Sequence, residues 1–244
     1  MSTSQLTIPY TLDDTCRFEY FCSAGNEAVF RAIQGWVAGE VDEYFCWLWG
    51  RHGVGCSHLL NAVCHAVIEK QRVFFIDFKN IPSYTPAMLE DLNVFDWVVM
   101  DHVEHIWGHA GWEQALFNLY NEMVTAERGR LLCATNQAAQ LAPIQLEDLK
   151  SRMQLGWQFV LQPLSSSDWV TVLIQRAHSY GFELSESVAE YMVKHVGRCG
   201  HCLMLMLDFI NTYSLSLKRA VTIPLVKDCL LKKPLCEQCA KTSF

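Results

Sequence analysis

The sequence predicts an α/β domain with a five-stranded, mostly parallel sheet, followed by a small all-helical domain. From residue 44 onward, short apolar runs alternate with longer segments of helical period, which is the pattern of a parallel sheet flanked by helices. After Pro163, the pattern is almost entirely helical. A chain of 244 residues is long enough to build both domains.

The elements of the α/β domain follow from these runs. Helical stretches lie between the apolar runs, and over residues 112–126 apolar side chains recur at three- and four-residue spacing. The predicted strands are the apolar runs 44–49, 73–78, 97–100, 130–134 and 157–161.

The helical domain is predicted to begin at a capping box. Ser165 and Asp168 have the required spacing ahead of a helical run. Two further helices are predicted over 187–196 and 202–217, and residues 222–224 form either an edge strand or the start of a last helix. The predicted division is an N-terminal tail (1–20), the α/β domain (21–163), the helical domain (164–233) and a polar C-terminal tail (234–244).

Composition and charge exclude several classes of protein. With 19 Lys and Arg against 26 Asp and Glu, the net charge is −7, which argues against direct coating of nucleic acid because phosphate binding needs clustered cations. The apolar runs are far shorter than the roughly 20 residues that span a bilayer. The N-terminus has no secretion signal. We expect a cytoplasmic protein without membrane contact that meets DNA only indirectly.

The cysteines are expected to be mostly buried, reduced thiols. Eleven is an odd number, and the chain has no secretion signal, so a disulfide framework is not predicted. Two C-x-x-C pairs, Cys199 with Cys202 and Cys236 with Cys239, raise a zinc or redox hypothesis. The first pair also reads as the opening of a helix, and the role of both pairs stays open.

A segment with the spacing of a phosphate-binding loop (P-loop) follows the first strand. Residues 50–57 read GRHGVGCS, against GxxxxGK[ST] in a Walker A loop, where backbone N–H groups wrap phosphate, the lysine adds charge and the hydroxyl holds magnesium. The alternative is an ordinary strand-to-helix turn. The candidate nucleotide-binding residues here are Gly50, Gly53, Gly55, Ser57 and, at the lysine position, Cys56.

Polar residues at the ends of two further strands extend this candidate site. Asp101 ends the run 97–100, where a Walker B carboxylate binds magnesium. The following residue, usually acidic in hydrolysing enzymes, is His102. Asn136 stands at the tip of the fourth strand, either to reach a γ-phosphate or as a turn residue. His102 and His105 are three residues apart, but a polar loop explains them better, and no metal site is predicted from the histidines.

Together these segments resemble the AAA+ P-loop domain of the bacterial replication initiator DnaA, and most of all the shorter DnaA-related regulators of the Hda family. The resemblance is carried by the glycine loop 50–57, the strand ending at Asp101, residues 131–136, and residues 149–152 ahead of Gly156.

This resemblance extends over about residues 4–233. Residues 161–164 and 222–227 are similar to Hda segments at the same places. The chain ends soon after Lys233, so we expect it to lack the helix-turn-helix DNA-binding domain of the initiator.

By this resemblance, Arg152 is the arginine finger, which reaches into the nucleotide site of a neighbouring subunit and stabilises charge on the transferring γ-phosphate. The alternative is a surface salt bridge between Arg152 and Glu147 or Asp148.

Three positions depart from the family pattern. Cys56 replaces the Walker A lysine, His102 replaces the second Walker B acid, and His201 falls at the position of the sensor 2 arginine. Loss of two full cations removes charge-assisted hydrogen bonds to phosphate, so nucleotide affinity should fall. The resemblance implies ADP as the ligand of a weakened site, with Mg²⁺ alongside it, and little or no ATP hydrolysis by this chain alone.

Residues 5–10, QLTIPY, resemble the hexapeptide with which Hda proteins dock on the β sliding clamp. A glutamine amide offers hydrogen bonds, apolar side chains provide anchors, and the proline lowers the entropy lost on binding. The alternative is a leader strand that packs on its own domain. The clamp-binding residues would be Gln5, Leu6, Ile8, Pro9 and Tyr10.

The resemblance implies a negative regulator of replication initiation. Docked on the DNA-loaded clamp, the chain would stimulate ATP hydrolysis by the initiator DnaA in trans through Arg152, without being an enzyme itself; a homodimer stays open. Two alternatives remain: a stand-alone P-loop ATPase such as a helicase loader, which Cys56 and His102 disfavour, and a degenerate clamp-binding scaffold without nucleotide.

Overall fold

The computed structural model describes residues 12–13, 15–197 and 199–232, and it divides into two compact units. Of the described residues, the first unit contains those up to Phe21 together with Asn26–Arg51 and Cys56–Leu161. The second contains Cys22–Gly25, His52–Gly55 and the described residues between Gln162 and Lys232. The predicted clamp-binding peptide and the pair Cys236 and Cys239 lie outside the described residues.

The first unit is built on the predicted five-stranded sheet, and every strand pair in it is parallel. The strands are Phe45–Trp49 (β1), Val73–Asp77 (β2), Trp97–Asp101 (β3), Arg130–Thr135 (β4) and Trp157–Val160 (β5). Their spatial order is β2-β3-β4-β1-β5. Strands β1 to β4 are nearly continuous in burial, as expected for a parallel sheet covered on both faces, whereas the residues of the edge strand β5 are all half-buried.

In the described part of the first unit, four α-helices accompany this sheet. The helix predicted over 112–126 begins two residues earlier, at Ala110. On one face of the sheet, side chains of β1, β3 and β4 pack with this helix into a single apolar core. The helices are Glu27–Ala38 (α1), Cys56–Val67 (α2), Ala110–Thr125 (α3) and Glu147–Met153 (α4).

The second unit contains the predicted helices, and its first helix starts at the predicted capping box. The Ser165 hydroxyl accepts a hydrogen bond from the Asp168 N–H at 3.2 Å, and the Asp168 carboxylate accepts one from the Ser165 N–H at 3.0 Å. Residues 222–224 start a helix rather than an edge strand, with Pro224 in its first turn, where proline is tolerated. The helices are Ser166–Ser179 (α5), Glu186–Val196 (α6), Gly200–Leu217 (α7) and Ile223–Lys232 (α8).

Among the described residues, no helix combines the length and the apolar character needed to cross a membrane. The nine described cysteines are all free thiols. Burial raises the pKa of Cys64 to about 12 and raises that of Cys46 and Cys133 as well, so these side chains behave as small apolar groups. Cys202 and Cys229 are buried in the second unit.

Candidate functional site

The carboxyl ends of β1, β3 and β4 meet at one edge of the sheet, which is where open α/β sheets bind ligands. Gly50 follows β1 and donates its N–H to the Thr135 carbonyl at 3.2 Å. Asp101 is the last residue of β3, and Asn136 follows β4 with its side chain exposed. Three of the predicted nucleotide-binding residues therefore stand at neighbouring strand ends.

Asp101 and Ser57, the predicted Walker B carboxylate and Walker A hydroxyl, lie in hydrogen-bond contact. The Asp101 side chain is buried, and the residue is only 4% exposed. Its Oδ1 also accepts a hydrogen bond from the His102 N–H at 2.9 Å. Burial raises the pKa of Asp101, while these two donors act in the opposite direction. The two groups that a magnesium ion would need are thus side by side.

Cys56, the first residue of α2, stands beside two carboxylates. Loss of hydration raises the pKa of its thiol, and the negative charges of Asp101 and Glu104 raise it further. Within the described residues, the buried Oε2 atom of Glu104 has no hydrogen-bond partner. The position that holds a lysine in a Walker A loop is therefore occupied by a neutral thiol in negative surroundings, which weakens the attraction for phosphate.

His102 stands where a second acidic residue would follow Asp101 at the end of β3. Its side chain contacts Asp77 at the end of β2. Its backbone has a φ of 54°, in the left-handed region. Its Nδ1 lies 2.9 Å from Asp77 Oδ1 and 3.4 Å from Asp101 Oδ2. Burial alone lowers the pKa of His102, but the hydrogen bond with Asp77 and the charge of Asp101 outweigh it and leave this pKa raised. His102 therefore pairs with both carboxylates.

In the second unit, two residues of the glycine-rich loop contact the start of α7. Gly53 has a φ of +77°, and its carbonyl accepts a hydrogen bond from the Gly200 N–H at 3.2 Å. The rings of His52 and His201 lie 5.5 Å apart, and His52 Nδ1 is 3.6 Å from Cys199 Sγ. His201, predicted at the sensor 2 position, thus stands beside a loop residue.

Two more features of this unit concern residues that the sequence singled out. Gly55 has a φ of +117°, which favours glycine. Cys199 precedes α7, and Cys202 is buried within it, so this pair opens a helix as predicted. Among the described residues, neither cysteine belongs to a group of three close metal-ligating side chains.

Arg152, the predicted arginine finger, lies on α4 with its side chain exposed. Within the described ranges it forms no ion pair with Glu147 or Asp148, so the salt-bridge alternative finds no support there. It lies near the hydroxyl of Tyr120. Burial raises the pKa of Tyr120, and the positive charge of Arg152 opposes part of that rise. Leu155, just after the helix, is 51% exposed. An exposed arginine close in the chain to an exposed apolar side chain is suited to contact with another protein.

Glu113, on α3, holds the segment that leads into α4. The residue is 1% exposed. Its Oε2 accepts hydrogen bonds from the N–H groups of Gln145 and Leu146 at 3.0 and 2.8 Å, and its Oε1 accepts one from Gly108 at 2.8 Å. The buried carboxylate therefore satisfies three backbone donors and fixes the point where α4 begins.

Sequence reasoning missed three residues of this region: Asp77, Glu104 and Glu113. Asp77 could have been found, since it ends β2 and stands opposite Asp101 in the parallel register. The other two gave no motif or periodic signal.

Comparison with known proteins agrees with this fold. The family model of the bacterial DnaA ATPase domain matches residues 12–160, and that of the Hda lid domain matches residues 167–230. Domain III of the replication initiation protein DnaA from Thermotoga maritima is similar in structure, with a TM-score of 0.78, 22% identity, and coverage of 91% of this chain and 98% of that chain.

Two further solved structures share the fold. AMPPCP-bound DnaA from Aquifex aeolicus matches with a TM-score of 0.70 and 16% identity over 85% of this chain and 68% of that chain. The Holliday junction branch migration motor RuvB from Thermotoga maritima matches with a TM-score of 0.65 and 11% identity over 87% and 69%. The two family matches together account for nearly all of the described residues. The chain therefore belongs to the bacterial DnaA ATPase domain family, with an AAA+ α/β domain followed by a lid domain of the Hda type.

Proposed function

We propose that this protein is an Hda-type regulator that stimulates ATP hydrolysis by the initiator DnaA in trans. The observation that carries the proposal is the exposed Arg152, which forms no ion pair within the described part of the chain, together with a phosphate site that lacks a lysine. The Hda-type lid supports it, because it relates the chain to the regulators rather than to motor proteins. In this proposal the protein supplies the arginine finger, and the ATP that is hydrolysed is bound in DnaA.

The role of Arg152 follows from its chemistry. A guanidinium group is always charged and presents several donors in one plane, so it can bridge oxygens of a γ-phosphate as negative charge develops there. Its position near the end of a short helix, whose start is fixed by Glu113, reduces the backbone entropy lost when it docks.

The chain's own nucleotide site is proposed to bind ADP weakly and to hydrolyse little or no ATP. The residues fit the ligand in part: Ser57 and Asp101 would hold Mg²⁺, and the glycine loop offers backbone N–H groups to phosphate. Against this, Cys56 adds no charge, and Asp101 and Glu104 surround it with negative charge. His102 faces Asp77, so the usual acidic residue that polarises water is missing.

Docking on the β sliding clamp is proposed for residues 5–10. Clamp loaded on DNA would hold the finger near initiator bound to the same DNA, which raises the effective concentration of the pair without any new contact. DNA would then be met only through the clamp, in keeping with the net charge of −7.

The test is ATP hydrolysis by purified DnaA with DNA-loaded clamp, with this protein added as wild type, Arg152→Ala, Arg152→Lys or Lys150→Ala. We expect stimulation by the wild type and the Lys150 control, and a loss of about a thousandfold in the Arg152→Ala variant. Arg152→Lys should also fail, because lysine cannot reproduce the planar contact. Equal stimulation by Arg152→Ala and wild type would refute the finger.

The same assay separates the alternatives. Turnover of ATP by this protein alone would indicate a stand-alone ATPase. If neither wild type nor variant stimulates DnaA, while Leu6→Ala abolishes clamp binding, the protein is a clamp-bound scaffold. If ADP does not raise the melting temperature, the protein does not bind this nucleotide, because a ligand at 100 times its dissociation constant stabilises the folded state by about 2.7 kcal/mol.

A further inference from the structure

Asp77, Asp101 and His102 form a compact cluster at the carboxyl ends of β2 and β3. One ligand atom from each residue can be chosen so that all three lie within 4.8 Å of one another. The parallel register places Asp77 directly opposite Asp101, and His102 follows at the turn. The distances from His102 Nδ1 to the two carboxylates are 2.9 and 3.4 Å. Three donors thus converge from two strand ends.

The charge of this cluster is not balanced by its own members. Two carboxylates share one imidazole. Cys56, beside Asp101, also stands near the carboxylate of Glu104, whose buried Oε2 has no hydrogen-bond partner among the described residues. Lys79 donates its backbone N–H to Asp77, and its exposed side chain adds one positive charge near Asp77 and His102 without a hydrogen bond to either carboxylate among the described residues. Such a negative, largely buried group favours a bound cation.

We propose that Asp77, Asp101 and His102 bind a divalent transition-metal cation and do so without nucleotide. One imidazole nitrogen with two carboxylate oxygens suits Mn²⁺, Co²⁺ or Zn²⁺, with water in the remaining positions. Small adjustments of the three side chains bring the donors to bonding distance. The proton that Nδ1 shares with Asp77 leaves to solvent as the metal takes its place.

This site differs from a magnesium site that depends on nucleotide. Asp77 and His102 lie outside the Walker residues that would hold Mg²⁺, and an imidazole ligand disfavours Mg²⁺ relative to transition metals. A cation here cross-links the ends of β2 and β3 and engages Asp101, so it competes with any nucleotide-bound magnesium for that carboxylate.

The test is titration of the full-length, nucleotide-free protein with Mn²⁺, followed by electron paramagnetic resonance. Mn²⁺ is the chosen probe because it avoids the thiolate ligands of the C-x-x-C pairs. We expect one Mn²⁺ per chain. Asp77→Asn and His102→Asn should each weaken binding about tenfold or more. His105→Asn should leave it unchanged, since this exposed histidine lies outside the cluster.

A second measurement needs no variant and stays decisive if a variant fails to fold. Spin-echo modulation of the Mn²⁺-loaded wild type should show one directly bound imidazole nitrogen. The proposal is overturned if that nitrogen is missing, if Mn²⁺ binds only after ADP is added, or if folded Asp77→Asn and His102→Asn bind as tightly as wild type.

Discussion

Replacing Glu113 by glutamine tests whether this buried carboxylate fixes the segment in front of α4. The side chain keeps its shape but has one acceptor oxygen instead of two. In the wild type, the two carboxylate oxygens accept hydrogen bonds from three backbone N–H groups, those of Gly108, Gln145 and Leu146. In the variant, the new amide group must point its own N–H toward at least one of these donors.

The expected cost follows from that count. A hydrogen bond to a charged group contributes about 1.5–3 kcal/mol, and a buried donor left unpaired costs about 1–3 kcal/mol. We therefore expect the segment around residues 145–146 to lose about 3 kcal/mol of local stability. That loss corresponds to roughly a hundredfold faster opening, because each 1.4 kcal/mol is a factor of ten.

Hydrogen exchange measured by mass spectrometry is the suitable assay, since it reports each segment of a two-unit chain separately. Peptides covering 141–155 should exchange much faster in Glu113→Gln, and peptides from α6 should not change. Glu122→Gln, on the exposed side of the same helix, is the matched control. Unchanged exchange at 145–146 would refute the role assigned to Glu113. Under the proposed function, the variant should also weaken stimulation of DnaA.

Three further outcomes are expected. Gly53→Ala should destabilise the second unit by about 2 kcal/mol, because φ is +77° and the added Cβ would lie 2.7 Å from Cys199 Sγ. The control is Gly181→Ala, which has a similar φ of +83° but places its Cβ in open space. In thermal unfolding, Gly181→Ala should lower stability less than Gly53→Ala. Hydrogen bonds from a backbone N–H and two guanidinium groups lower the pKa of Asp96, so its contribution to folding stability is complete above pH 3.8 and is lost as the pH falls through the lowered pKa. The difference in urea midpoint between wild type and Asp96→Asn should therefore shrink from pH 7 to pH 3. A constant difference would contradict this. Ser165→Ala should cost about 1 kcal/mol by removing the capping box, measured as the urea midpoint of the second unit.

The five strands and the main helices after residue 44 could be predicted, because buried parallel strands show as apolar runs and amphipathic helices as periodic ones, but helix α1 was not predicted. The exact ends of the strands and helices were harder to predict. Strands β3 and β4 each continue one residue beyond the apolar run, to Asp101 and Thr135, because backbone pairing does not stop where hydrophobicity does. Residues 222–224 could not be decided from composition, since a β-branched pair followed by proline fits either an edge strand or the first turn of a helix.

The site was predictable where a motif fixes spacing and not where the fold brings distant residues together. Ser57 and Asp101 follow from the Walker patterns, and they lie in contact. Asp77 reaches His102 across 25 positions through strand register, and Glu113 reaches Gln145 across 32. In the sequence, Glu113 reads as one more polar residue of an amphipathic helix, and nothing local shows that it is buried.

The buried thiols make the chain its own reporter of unfolding. Cys46 and Cys133 lie in central strands of the first unit, and Cys202 and Cys229 lie in helices of the second. All four are inaccessible to a thiol reagent until their unit opens. A pulse of alkylating reagent followed by peptide mapping would therefore time the opening of each unit separately, with no residue substituted.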